Sequence, residues 1–215
     1  MKKFVVIDGN AILHRAWHAL PPSLVTEDGT IVNAVYGFTS ILLKVFVDLK
    51  PDYIAVAWDT AAKTFRAEKY EQYKATRVTK EQELYDQIPI LQDLMDRFHI
   101  PNVLLDGYEA DDVIGTLAVK AAKEKDLETI IVTGDNDSMQ LINDTTRVYG
   151  LRKGLSETEL YDAAAVKMRF GITPEQMIDF KALKGDSSDN IPGVKGIGEK
   201  TATFLISTFK SLDGL

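Results

Sequence analysis

The sequence predicts an α/β fold: a parallel sheet covered by helices on both faces, followed by a small all-helical module. Two observations carry this. Short apolar runs of strand length alternate with segments of helical period up to about residue 151, and that alternation builds parallel sheets. After about residue 155 no strand pattern is left, and helical segments surround a glycine-rich turn.

Taken in order, "FVVID" (4–8) reads as the first strand and "NAILHRAWHAL" as a helix. "AVYGFTSILLKVFVDL" is an amphipathic helix leading to the second strand, "YIAVAWD" (53–59). "NVLLD" (102–106) is the third, before the helical "EADDVIGTLAVKAAKEK". "ETIIVTGD" (128–135) is the fourth, before a short helix at "SMQLI", and "TRVYGL" (146–151) is a candidate fifth. Helices follow at 162–170, 174–184 and 199–209, with a turn at 185–198. The expected division is a sheet domain over 1–155 and a helical module over 156–215.

The chain has 215 residues and no cysteine, which excludes disulfides, zinc–thiolate sites and a cysteine nucleophile. The N-terminus carries two lysines and only four apolar residues before Asp8, too few for a signal-peptide core. No apolar run approaches the roughly 20 residues of a membrane span. A soluble, cytoplasmic chain with no membrane partner is expected. There is no G-x-x-x-x-G-K-[ST], so no P-loop is indicated. His14 and His18 stand four apart without a third ligand, which favours packing or surface roles over zinc.

The stretch "GYEADDVIG" (107–115) crowds Glu109, Asp111 and Asp112 into one turn. Helix capping accounts for one or two acids there, at about 0.3–1 kcal/mol each. The other strand ends add to the crowding: Asp8, Asp59, and Asp135 with Asp137 in "TGDND". Parallel strands end on one edge, where ligand crevices form, so seven acids from four strand ends should converge. Two like charges about 4 Å apart repel by roughly 4 kcal/mol at an effective dielectric of 20. No run of Lys or Arg flanks these strand ends, so bound cations are the expected compensation. Oxygen-only donors favour hard ions such as Mg²⁺ or Mn²⁺.

The turn "GDSSDNIPGVKGIGEKTA" (185–202) places Gly193, Gly196 and Gly198 directly before a helix. Such a hairpin presents backbone N–H groups and a helix N-terminus to a phosphate, with Lys195 and Lys200 beside it; a plain helix–turn–helix corner is the alternative. Asp186 and Asp189, just upstream, could reach the acidic crevice. The formal net charge is −7. Setting these nine acids aside leaves a remainder of +2, so the acidic total does not argue against a nucleic-acid partner. Residues 61–80 carry six Lys/Arg against two Glu, interleaved with Phe65, Tyr70 and Tyr73. That pattern suits single-stranded nucleic acid, or a merely solvated helix. Lys74 and Arg77, three apart, would share a helical face.

These blocks, "VVIDGNAILHRAWHAL", "NAVYGF", "WDTAAKTFRAEKYEQYKATR", "GYEADDVIGTLA", "TGDNDSMQL" and "LKGDSSDNIPGVKGIGEKTA", occur in order over residues 5–202. They resemble the 5′-nuclease (flap endonuclease) family found at the N-terminus of bacterial DNA polymerase I. The resemblance implies a PIN-like core, a helix–three-turn–helix module and a helical arch at about 60–80. It implies nine metal-facing acids: Asp8, Asp59, Glu109, Asp111, Asp112, Asp135, Asp137, Asp186 and Asp189. Lys74 and Arg77 correspond to arch residues acting on the scissile phosphate. Tyr36 and Phe38 correspond to a wedge near the duplex junction. Arg66, Gly193, Lys195, Gly196, Gly198, Lys200 and Thr201 are the other expected DNA-binding residues, with K⁺ at the glycine hairpin. Two departures stand out: Asn136 where the family usually has a basic residue, and Ala67 where it often has histidine. The family domain continues past the position of residue 215, and a polymerase domain is a possible covalent neighbour.

The expected activity is two-metal hydrolysis, with Mg²⁺ or Mn²⁺, of phosphodiesters at 5′ ends, flaps and nicks in DNA. RNA primer–DNA hybrids are further substrates, in primer removal and repair. The alternatives are a PIN-type ribonuclease and a non-catalytic DNA-binding module.

Overall fold

The computed structural model describes residues 1–76 and 81–215. Its sheet has strands β1 (Lys2–Asp8), β2 (Tyr53–Ala57), β3 (Asn102–Val103), β4 (Leu127–Thr133), β5 (Thr146–Leu151) and β6 (Thr158–Tyr161). Their order is β3-β2-β1-β4-β5-β6, parallel throughout except for the β5–β6 pair. Val5, Val6 and Ile7 of β1 and Ile130, Ile131 and Val132 of β4 are buried on both faces. That is why these central strands read as unbroken apolar runs.

The helices are α1 (Gly9–Ala19), α2 (Asn33–Leu49), α3 (Phe65–Lys69), α4 (Gln82–Tyr85), α5 (Gln87–Arg97), α6 (Ala110–Ala121), α7 (Ala163–Phe170), α8 (Met177–Lys184) and α9 (Glu199–Phe209). On one face of the sheet, α1, α2 and α5 bury Ile12, Phe38, Leu42 and Leu91 against Val5, Ile7 and Val56. On the other, α6 to α9 bury Ile114, Val166, Phe180 and Ile206 against Val6, Ile131 and Val148. The helical module thus shares a core with the sheet.

Four expectations need correction. First, a strand exists beyond residue 155: β6 runs antiparallel to β5. Its four residues, "TELY", are too short and polar to reveal a strand. Tyr161 anchors it by packing over Gly150, where a Cβ would lie 2.9 Å from the ring. Second, β3 pairs over only two residues and leaves Leu104 and Leu105 exposed. It is an edge strand, and the chain turns away after Val103 towards the acids. Third, "SMQLI" forms a 3₁₀ turn, Asp137–Leu141, rather than an α-helix. Fourth, helix in the 60–80 stretch is confined, among the described residues, to α3. The chain continues in turns to Thr76. Lys74 has φ +56° and donates its backbone N–H to the carbonyl of Asp189 at 3.0 Å. That contact holds Lys74 outside helical backbone; the expected face shared with Arg77 lies outside the described residues.

Candidate metal centre and nucleic-acid interface

The strand order reverses between β1 and β4, the topological switch point where ligand crevices open in such sheets. Asp8 ends β1 at that point. It caps α1 by accepting from the Ala11 N–H at 2.9 Å, and it accepts from the Thr133 hydroxyl of β4 at 2.7 Å. Each residue of "DGN" has a separate task. A Cβ on Gly9 would sit 2.4 Å from the Trp58 ring, so only glycine lets α1 start so close to β2. Asn10 accepts the backbone N–H of Asp59 at 2.9 Å and fixes that acid.

The opening of α6 is a true capping box: Glu109 and Asp112 exchange side-chain and backbone hydrogen bonds. Capping therefore explains part of the crowding at 109–112, and the rest of it faces the crevice. Asp59 accepts from the Ala110 N–H at 2.7 Å. Asp8, Asp59, Glu109, Asp111 and Asp135 line one cavity of about 560 Å³, together with Lys74, His14 and Arg15. Burial first, then Asp8, Asp135, Asp137 and Asp59, push the Asp111 carboxyl up to about 8. Burial likewise pushes Asp8 up to about 6, against its two hydrogen bonds. Among the described residues none of Asp8, Asp59, Asp111 and Asp135 forms an ion pair.

A second group joins from the helical module. Asp137, Asp186 and Asp189 bring carboxylate oxygens within 4.8 Å of one another. Asp137 is pushed up to about 6 by burial and by Asp135, with Lys181 opposing. Although burial works against it, Asp186 is held down to about 2 by Lys181 and Ser188. Lys181 of α8 bridges Asp137 and Asp186, lying 2.6 Å from the latter. Two clustered, partly buried sets of oxygen donors fit a pair of hard divalent cations.

Protein cations supply more compensation than the sequence suggested. Arg66 grips Asp112 with two hydrogen bonds of 2.5 and 2.8 Å. Asp112 also accepts from the Glu109 N–H at 3.0 Å, so it stands behind the crevice, committed to other partners. Lys74 lies 2.9 Å from Glu109. Sequence reasoning did not find Lys181, Thr133 or Asn10. No local pattern marks Lys181, which meets its acids only through the docking of α8.

The basic stretch closes over this edge. The Tyr73 hydroxyl lies 2.9 Å from Glu109 and 3.2 Å from Asp189, and burial with both acids raises its pKa. Asn190 donates to the Gln72 carbonyl at 2.8 Å. Residues 70–74 are thereby tied to the 189–190 loop, so Tyr73 bridges acids and does not stand free for stacking.

At the glycine hairpin, Gly193 and Gly196 have φ of +62° and +86°. A Cβ on Gly193 would lie 2.4 Å from the Gly185 nitrogen. Gly198 caps α9 without a side-chain hydrogen bond, and Lys195, Lys200 and Thr201 are exposed around it. Tyr36 is exposed on α2. Phe38 is fully buried and stacks on Trp58 at 5.7 Å, so it offers no surface to DNA and supports β2 from the core.

The sheet, its switch-point crevice and the appended helices define a resolvase-like α/β protein with an acidic strand-end site. The family model described as "5'-3' exonuclease, N-terminal resolvase-like domain" matches residues 3–171, and "5'-3' exonuclease, C-terminal SAM fold" matches 172–215. DNA polymerase I of Bacillus subtilis (strain 168) is 46% identical over 214 residues, covering 100% of this chain and 24% of that protein. DNA polymerase I of Bacillus caldotenax is 44% identical, again over 24% of its length. The chain thus spans about a quarter of these relatives. The bacteriophage T5 D15 flap endonuclease, solved as a pseudo-enzyme-product complex with DNA and metal ions, superposes with a TM-score of 0.75 at 22% identity. That match covers 99% of this chain and 77% of the other, and at that identity it supports the fold. The chain belongs to the 5′-3′ exonuclease family.

Proposed function

We propose that the chain hydrolyses phosphodiesters at 5′ ends, flaps and nicks of DNA, and of RNA primers paired to DNA, with two Mg²⁺ ions for which Mn²⁺ substitutes. One observation carries this: acids from four strand ends line one crevice with Lys74, and Asp186 and Asp189 of the helical module cluster with Asp137 next to it. Asp8, Asp59, Glu109, Asp111 and Asp135 would hold one cation, and Asp137, Asp186 and Asp189 the other. Asp112 reaches them only by releasing Arg66. When bound, such ions activate water and stabilise the attacking and leaving oxygens of the phosphoryl group.

The chain's own residues do the rest. Lys74 lines the crevice and neutralises charge at the scissile phosphate, and Arg77, by the family resemblance, does the same work. Tyr73 and Asn190 hold the 70–74 segment over the site and keep Lys74 above it. The amides of Gly196 and Gly198, with Lys195, Lys200 and Thr201, bind duplex phosphates without reading sequence, and a K⁺ ion at the hairpin would add to that grip. Arg66 holds the Asp112 end of α6 in place, and Tyr36 stands at the duplex junction. The work fits primer removal and repair in the bacterial cytoplasm, ahead of a covalently linked polymerase domain.

The test is a 5′-labelled flap incubated in Mg²⁺ and in EDTA, with an all-RNA hairpin alongside. Short labelled DNA products in Mg²⁺ alone support the reading. Cleavage of the RNA hairpin in preference to the flap would favour a ribonuclease and sink it.

A further inference from the structure

Across the Gly134–Asn136 turn from the metal crevice lies a smaller cavity of about 280 Å³. Arg15 of α1, Arg152 after β5 and Arg169 in the last turn of α7 all line it. Arg15 donates to the carbonyls of Leu151 at 2.8 Å and Arg152 at 3.0 Å. It crosses Gly134 so closely that a Cβ there would lie 3.3 Å from its Nη2. Arg152 and Arg169 both donate to the Tyr161 hydroxyl, Arg169 at 2.6 Å. Glu159 pairs with Arg152 at 3.0 Å. Among the described residues, no ion pair forms at Arg15 or Arg169.

Three guanidiniums from three separate parts of the fold thus share one cavity against two carboxylates, Glu159 paired with Arg152 and Asp135 in the wall. Backbone carbonyls and a phenol orient them but leave their charge in place. Like charges gathered in one place repel whatever their sign, and this arrangement calls for an anion. Planar, pre-oriented guanidiniums match phosphate oxygens in particular.

We propose that this cavity binds a backbone phosphate of the DNA away from the scissile bond, fixing the strand's register over the metal crevice. The proposal rests on the nuclease reading. Asp135 borders both cavities, so cations in the crevice would screen the acid in the wall that has no arginine partner, and the two sites would reinforce each other.

The test uses the full chain with an intact flap DNA in EDTA, following binding by fluorescence anisotropy from about 50 to 200 mM salt. Arg152→Gln with Arg169→Gln should weaken binding about tenfold and make the log–log salt slope shallower by about 0.9, one phosphate contact. Arg169→Lys should keep most of the slope. Because both arginines also donate to the Tyr161 hydroxyl, Arg169→Gln alone provides a second, smaller variant, and the melting temperature of each variant is read beside its binding so that lost packing and lost charge are told apart. An unchanged slope and affinity in both Gln variants, with the parent binding DNA, would overturn this inference and leave the nuclease reading intact. A parent chain that binds no flap would sink both. Inorganic phosphate that raises the parent's melting temperature, while the Gln variants keep the parent's salt slope, would make this a free-anion pocket and overturn the strand assignment.

Discussion

Replacing Asp111 with asparagine should stabilise the metal-free protein while removing its response to divalent cations. The Asp111 carboxyl, ordinarily near 3.8, is pushed up to about 8 by burial and by Asp8, Asp135, Asp137 and Asp59. At pH 7 the folded chain therefore holds a proton there that the unfolded chain has released. At about 1.4 kcal/mol per pH unit, that disfavours folding by about 4 kcal/mol. The amide introduced by Asp111→Asn is already neutral and carries no such penalty. Glu109, Asp111 and Asp112 also repel one another in the unfolded chain, so a gain of about 2–4 kcal/mol is expected. For a chain of this length that is a rise of about 4–16 °C in melting temperature. The gain should shrink to about 0.5 kcal/mol at pH 4, where the folded acid is protonated and the unfolded one is about half protonated. Thermal melts in EDTA at pH 4 and pH 7 measure it, and a repeat with Mn²⁺ should stabilise the parent far more than the variant. A gain independent of pH, or none at pH 7, would mean that Asp111 does not carry this proton in the folded chain.

Other outcomes follow from the same geometry. The folded values of Asp8, Asp111 and Asp137 lie above their unfolded ones. Metal-free stability should therefore be greatest below about pH 4 as far as these groups are concerned, and be lost as pH rises through about 6 to 8; denaturant melts in EDTA across that window would check it. Lys181→Ala leaves Asp137 and Asp186 facing each other, and should lower the metal-free melting temperature by roughly 3–8 °C, a loss of about 1.5–2 kcal/mol. Saturating Mn²⁺ should recover most of that loss in a parallel melt. Gly193→Ala puts a Cβ against the Gly185 backbone at φ +62°. It should cost about 1–3 kcal/mol by chemical denaturation and weaken duplex binding in an anisotropy titration.

Much of this was legible in the sequence because the strand ends are both chemically and topologically marked. "FVVID", "IIVTGD" and "GYEADD" place acids where an apolar run stops, and parallel pairing alone brings them to one edge. The glycine hairpin was legible because glycines with positive φ leave a spacing that few other structures need. The hidden parts depend on long-range packing. Lys181 is one lysine among many until α8 docks on Asp137. The backbone at Lys74 turns left-handed only because Asp189, more than a hundred residues away, accepts its N–H. Phe38 and Tyr36 stand two apart on one helix and face opposite ways; the family resemblance implied a DNA role for both, and the core took Phe38. The strand "TELY" has no pattern of its own and exists because Gly150 makes room for Tyr161.

The central claim is that these acids hold two divalent cations side by side. Titrating Mn²⁺ into the metal-free chain, with calorimetry for stoichiometry and electron paramagnetic resonance for ion proximity, tests it most directly. Two ions per chain with a spin-coupled spectrum are expected, and loss of that coupling in Asp111→Asn. A single uncoupled ion, or a coupled pair that Asp111→Asn leaves unchanged, would contradict it.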